Sequence, residues 1–147
     1  MTLDDRAIHS CLDSALRLAL ALALALPLGW ERERRSRSAG LRTYPLVSAC
    51  VCGFLLIEQQ IAGGMGEQAD VFYGVLSGIG FVASDAVLKS PDGAGAMSTA
   101  ASLWVTGAIG AGVACDMTLI SAALSLVSIL TLSAPSLIRR VRRRSAP

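Results

Sequence analysis

The residues able to do chemistry are few, and most stand at the edges of apolar runs. Glu31, Arg32 and Arg42 frame one charged stretch. Glu31 and Arg35 stand four apart, as do Glu33 and Arg37, the spacing that pairs opposite charges on one helix face. Exposed pairs of this kind contribute only about 0.3–0.5 kcal/mol. Two readings therefore stand for Glu31, Arg32 and Arg42. They form either a solvated anchor at a lipid surface or a fixed polar network able to hold an anion, a lipid headgroup or a partner. Asp85 is the sharpest single residue, because a carboxylate at the centre of a membrane helix costs about 2.5–3.5 kcal/mol. Lys89 lies four residues on, so Asp85 is either half of an interfacial ion pair or an ion or proton site. Arg17 lies inside an apolar run and either snorkels to the membrane surface or pairs with Glu58.

Other chemistries find little support. Cys50-x-Cys52 sits in a hydrophobic run with no histidine or carboxylate at metal-binding spacing. The four cysteines read as small packing residues rather than a disulfide framework. His9 is the only histidine and has no evident ligand role. No nucleophile stands beside a plausible base, and no glycine-rich loop is built to cradle phosphate. The expectation is a protein that is not an enzyme and carries no cofactor.

What must position these residues is a set of membrane helices. Apolar residues make up 53% of the 147, charged residues only 16%, and mean hydropathy is +0.57. Soluble domains carry about 25% charged residues. A bilayer core is about 30 Å thick and needs about 20 helical residues to cross it. Five such segments are legible: 12–30, 43–62, 71–89, 96–114 and 117–138, followed by a basic tail over 139–147. The first alternates Leu and Ala from Leu18 to Leu26, a strand-like period. A lone strand cannot satisfy its backbone in lipid, so a helix is predicted there too. Gly74-x-x-x-Gly78, Gly107, Gly110 and Gly112 predict close helix approach, with Gly78 and Gly80 alternatively marking a pore or an unwound turn. Thr99, Ser102 and Thr106 offer hydroxyls within or between helices, and Trp104 is placed deep enough to pack internally. The fold class is all-α, a single polytopic bundle.

The net charge of +2 says less than its distribution. Arginines cluster at 32, 34, 35, 37 and 42, and again at 139, 140, 142, 143 and 144. Each cluster abuts an apolar segment, which favours anionic lipid over nucleic acid as the partner. With the first cluster in the cytoplasm, five spans put eleven of the thirteen basic residues on the inner side. The outer pieces then hold Glu58, Glu67, Asp70 and Asp116. A four-span arrangement would place one cluster on the wrong side. The predicted orientation is N-terminus outside, C-terminus cytoplasmic. Asp4-Asp5-Arg6 is no basic leader, so the first segment reads as a retained helix rather than a signal peptide.

Four ordered motifs then stand out. They are Gly29-Trp30-Glu31-Arg32, Ala39-Gly40-Leu41-Arg42-Thr43-Tyr44-Pro45-Leu46-Val47, Ser77-Gly78-Ile79-Gly80-Phe81, and Ser98-Thr99-Ala100-Ala101-Ser102-Leu103-Trp104. Together they resemble the MgtC/SapB family of bacterial inner-membrane proteins, over about residues 15 to 134. The resemblance draws attention to Glu31, Arg32, Gly40, Arg42, Thr43, Gly78, Gly80, Thr99 and Trp104, to which Asp85 is added on physical grounds. Ser84-Asp85 departs from the small residues usual after the third motif. Many members also carry a soluble C-terminal domain, which is not expected here. The resemblance implies a multi-pass protein of the bacterial inner membrane with a role in adaptation to low magnesium, acid stress and life inside hosts. It further implies action on other membrane proteins, such as the ATP synthase or a transporter, rather than carriage of magnesium. An ion transporter or channel subunit is the rival reading, and a structural subunit of an oligomeric assembly, a homo-oligomer included, is a third.

Overall fold

Lipid offers the backbone no hydrogen-bond partner, so each apolar run closes its own bonds as a helix. The computed structural model describes residues 3–35, 40–61, 65–88 and 93–144, with side chains described over 8–34, 40–61, 69–88 and 95–134. Five helices follow in order: α1 (Leu3–Arg35), α2 (Thr43–Ile61), α3 (Met65–Leu88), α4 (Gly93–Ala114) and α5 (Thr118–Arg144). The chain is all-α, and four stretches are long and apolar enough to cross a membrane: Ile8–Arg34, Thr43–Ile61, Ala69–Leu88 and Gly95–Ala114. The apolar part of the fifth, Thr118–Ala134, is shorter. At 1.5 Å per residue it spans about 26 Å.

The ends differ from the hydropathy reading. α1 starts at Leu3 rather than near residue 12 and reaches Arg35, and α5 runs on to Arg144 through the stretch read as a tail. Hydropathy marks where lipid begins, not where the helix stops. Arginine and glutamate are good helix formers, so the backbone continues past the apolar run.

α4 is the hub. It packs against all four other helices, while among the described residues α3 touches only α2 and α4, and α5 only α1 and α4. Of the apolar stretch of α4, 56% is buried, against 11% for α3. Residue type explains the difference, because α4 is built largely from Gly, Ala, Ser and Thr. Between membrane helices there is little hydrophobic drive, so association depends on close packing and on hydrogen bonds. Gly110 shows how close: a Cβ there would collide with the backbone carbonyl of Ser48 on α2 and stand 3.1 Å from its Cα. Hydroxyls add bonds on the other side, Ser121 donating to Ile109 O at 2.9 Å and Ser125 to Leu24 O at 2.7 Å. One core gathers Ala21, Val51, Cys52, Leu55 and Val113, and another Leu28, Tyr44, Leu103 and Ile109.

Gly74 and Gly78 behave otherwise, and the expectation of close packing there is corrected. Among the described residues no atom of a neighbouring helix would lie within 4 Å of a Cβ on either. They line an open groove of about 510 Å³ between α2 and α3, with Leu46, Phe54, Val75 and Ile79 on its walls. Spacing alone could not say which surface they would meet. Gly80 stays helical, so no unwound turn forms there.

The two kinds of glycine make opposite predictions. Gly110→Ala lowers stability by about 1–3 kcal/mol, because backbone cannot move aside as a side-chain tip can. Gly74→Ala is neutral or stabilises by up to about 1 kcal/mol through helix propensity. Thermal unfolding of both in one detergent decides it. A Gly110→Ala midpoint at or above the parent would refute the backbone contact.

Candidate functional site

The buried charged side chains of the described residues, Arg32 and Glu58, lie at opposite ends of the bundle. At the first, the start of α2 folds back on the end of α1. Gly40 O accepts from Thr43 N at 3.0 Å and from Tyr44 N at 3.2 Å, which opens α2. Glu33 Oε2 accepts from Leu41 N at 2.6 Å and so satisfies a backbone donor that the first turn cannot pair internally. The approach needs glycine: a Cβ on Gly40 would lie 2.7 Å from Cβ of Glu33, and one on Gly29 would lie 3.2 Å from Cα of Leu41.

This turn aims Arg32 and Tyr44 at α4. Arg32 is only 5% exposed. Its Nη2 donates to the Thr99 hydroxyl, and to Gly95 O at 3.4 Å, while Thr99 also donates to Gly95 O at 3.0 Å. Nε of Arg32 is buried without an acceptor. One layer deeper, Tyr44 Oη and Ser102 Oγ share a hydrogen bond of 2.7 Å, and Ser102 also donates to Ser98 O at 2.8 Å. Among the described residues, no carboxylate lies within ion-pair distance of Arg32. A charge buried among neutral partners costs several kcal/mol after relaxation, so this guanidinium is an expensive feature.

At the opposite end, Arg17 ties α1 to the turn between α4 and α5. Its Nε lies 2.8 Å from Asp13 and its Nη1 2.8 Å from Asp116, and Nη1 also donates to Ala114 O at 3.2 Å. Asp116 has φ 60°, the left-handed conformation that ends many helices. Met117 N bonds to Gly112 O at 2.7 Å and Asp116 N to Val113 O at 3.3 Å, the paired bonds of that ending. Gln59 adds a bond of 3.1 Å to Ala114 O. Beside them is a half-polar cavity of about 280 Å³, lined by Glu58, Gln59, Cys115 and Asp116 among others. Glu58 is 7% exposed, with Oε1 unpartnered. Arg17 therefore pairs with Asp13 and Asp116, and neither snorkels freely nor meets Glu58.

The motifs that make this geometry are those of a known family. The MgtC family model matches residues 18–141. The chain belongs to the MgtC family. It is similar to Protein MgtC of Brucella abortus (strain 2308), 35% identical over 106 residues, covering 71% of this chain and 43% of that protein. It is also similar to Protein SrpB of Synechococcus elongatus, 28% identical over 124 residues, covering 75% and 68%. The match thus spans less than half the length of the Brucella protein. No solved structure matches.

Within this MgtC-family bundle the sequence-predicted residues separate. Arg32 and Thr99 meet directly, and Gly40 lies against the same turn. Glu31 and Thr43 are half-buried beside them, whereas Arg42 is exposed and stands apart from the Arg32 contacts. Arg35 and Arg37 lie outside the described side chains, as does Lys89, and with them the proposed pairs to Glu31, Glu33 and Asp85. Asp85 itself is exposed on α3, not in the bundle interior. Trp104 is 45% exposed and packs beside Gly80 in a crevice of α3 and α4, which corrects its internal placement. Of the cysteines only Cys52 is fully buried, Cys11 and Cys50 are exposed, and all four are free. Among the described residues no group of three or more His, Cys, Asp or Glu is arranged to hold a metal. Sequence reasoning missed Tyr44, and it named Glu58 only as a partner for Arg17, not as a buried carboxylate. The signal for Glu58 was a carboxylate within the second apolar segment, and for Tyr44 its place one residue after the Arg42-Thr43 pair.

Cys115 reports on the Arg17 end. Burial, and then the carboxylates of Asp116 and Glu58, push its thiol above the ordinary range. A higher value means less thiolate near neutral pH and slower alkylation. In a variant keeping only this cysteine, maleimide labelling is slow at pH 7, climbs with pH above the usual thiol range, and quickens at pH 7.5 with Asp116→Asn. With the orientation that the arginines predict, an impermeant reagent labels it from outside intact cells. Labelling from the cytoplasmic side alone would reverse that orientation.

Proposed function

We propose that this MgtC-family chain is a non-enzymatic regulator in the bacterial inner membrane. On this reading it acts on another membrane protein, such as the ATP synthase or a transporter, in magnesium homeostasis or stress adaptation. The observation that carries the reading is the groove between α2 and α3. It is open to the side, lined wholly by uncharged residues, and floored in part by Gly74 and Gly78, where among the described residues no atom of another helix comes within 4 Å of an added Cβ. In lipid, such a small-residue surface favours a second helix brought close enough for backbone contact. A hydrated ion gains nothing from these walls.

The bundle interior supports the same reading over ion transport. Fifteen residues of α1 separate Arg17 from Arg32, about 22 Å along the axis. Between them stand Ala21, Ala25 and Leu28, each fully buried; Ala21 belongs to the core with Val51, Cys52 and Val113, and Leu28 to the core with Ile109. Asp85, the carboxylate that suggested an ion path, is exposed on α3 instead.

Two measurements test this reading. In proteoliposomes the purified protein gives magnesium uptake no greater than empty vesicles, and Asp85→Asn changes nothing. In cells whose growth at limiting magnesium depends on this protein, Gly78→Leu, which puts a branched side chain into the groove where a Cβ meets nothing, abolishes the benefit at an unchanged membrane level. Uptake clearly above the empty control, or full function of Gly78→Leu, would overturn the proposal.

A further inference from the structure

We infer that the cavity between the end of α2 and the α4–α5 turn binds a hydrated divalent cation through the carboxylates of Glu58 and Asp116. The cavity measures about 280 Å³, and Glu58, Gln59, Cys115 and Asp116 line it beside the apolar Leu55 and Phe72. Glu58 is 7% exposed, and among the described residues its Oε1 has no hydrogen-bond partner. A buried carboxylate needs a charge to answer it, because a neutral neighbour can bond it without balancing it. The cation at this end, Arg17, is already engaged by Asp13 and Asp116, each at 2.8 Å. Other basic residues stand too far along their helices. Arg6 precedes Arg17 by eleven residues of unbroken helix, about 16 Å. Arg32 follows Arg17 by fifteen residues, Arg42 precedes Glu58 by sixteen, and Arg139 lies 21 residues into α5. Lys89 follows the last residue of α3, at the end away from Phe72.

The chemistry of the lining selects the ion. One guanidinium against the three carboxylates of Asp13, Asp116 and Glu58 leaves two negative charges in excess, which a divalent cation balances and a monovalent one does not. The donors are hard oxygens. Gln59 spends its Nε2 on Ala114 O at 3.1 Å, which leaves its amide oxygen as a further donor. Burial and the same carboxylates keep the Cys115 thiol protonated, which disfavours soft, thiolate-bound metals. Among the described residues no three His, Cys, Asp or Glu close around a metal, so a cage for a bare ion is not built. The ion keeps much of its water instead, and the cavity has room for it, since each water takes about 30 Å³ in the liquid. Magnesium binds in this manner, through one or two carboxylates and several waters, whereas calcium asks for 6–8 oxygens. Seated there, the ion joins α2 to the α4–α5 turn. It has no route onward, because the packed layer around Ala21, Val51 and Val113 lies beyond. This site is separate from the groove between α2 and α3 and does not depend on what that groove binds.

Manganese(II) is the probe, because the paramagnetic resonance signal of its hydrated ion is lost on binding. The full chain in phosphatidylcholine nanodiscs is titrated with Mn²⁺ at constant ionic strength, against empty nanodiscs. One Mn²⁺ binds per chain with a Kd of about 0.1–1 mM, the affinity of weak oxygen-donor sites. Mg²⁺ displaces it, and Na⁺ of equal charge does not. Glu58→Gln weakens binding at least tenfold and Asp116→Asn several-fold, while Asp85→Asn, on the exposed face of α3, leaves it unchanged. The unfolding midpoint of the parent rises with Mg²⁺, and that of Glu58→Gln does not. Should Glu58→Gln fail to accumulate, Asp116→Asn supplies the comparison, since asparagine also accepts the left-handed backbone at that position. Binding no greater than that of empty nanodiscs would overturn the proposal. So would displacement by Na⁺ as readily as by Mg²⁺, or an affinity unchanged in Glu58→Gln, or in Asp116→Asn where that variant stands in.

Discussion

The bundle depends on how closely the backbones of α2 and α4 approach at Gly110 and Ser48. Lipid is as apolar as leucine, so burying leucine between membrane helices gains little that lipid does not already give. What remains is dispersion, strong only at short range, and hydrogen bonding to groups that water cannot reach. A helix of small residues supplies both. It lets neighbouring backbones come near, and its hydroxyls turn inward, as Thr106 does to Ser102 O at 2.8 Å. That α4 touches every other helix follows from its side chains being small on all sides.

Close packing fixes distance but not register, and the polar ends supply that. Arg17 clasps the end of α4 through Asp116 and Ala114 O, while Arg32 clasps its start through Thr99 and Gly95 O. Two arginines of one helix thus hold both ends of another that runs the opposite way. They do so by unlike means. Arg17 has two carboxylates and is partly exposed, an arrangement that satisfies itself. Arg32 is buried, and its partners among the described residues are neutral.

Much of this was legible in the sequence, for reasons particular to lipid. The spanning segments show because a bilayer tolerates few charges over about 20 residues, whatever the fold. The glycines of α4 read correctly because a helix dense in small residues has little use except contact. Gly74 and Gly78 carry the same spacing and misled, since the pattern records that something comes close but not whether it belongs to the same chain. Arg32 could not be told from Arg34 by type. Only rotation about the axis of α1, fixed by Gly29 and Gly40 docking the start of α2, turns one inward and leaves the other exposed. Glu58 was hidden for a similar reason: position along a helix can be read from hydropathy, whereas facing depends on a neighbour distant in sequence.

The asymmetry left by this packing bears on what the protein does. α1, α2, α4 and α5 are joined by clasps, hydroxyl bonds and backbone contact, but α3 leans on α4 mainly through Ile79, Ala83 and the Gly80–Trp104 crevice. A helix held on one face in lipid must cover its other face with lipid or with protein. For a leucine-rich face the two are nearly equivalent. For a face bearing Gly74 and Gly78 they are not, because an acyl chain is flexible and loses entropy on filling a narrow groove, whereas a helix arrives already ordered. A bundle tight on one side and open to one side at α3 is therefore better suited to receiving a neighbour than to enclosing a path of its own.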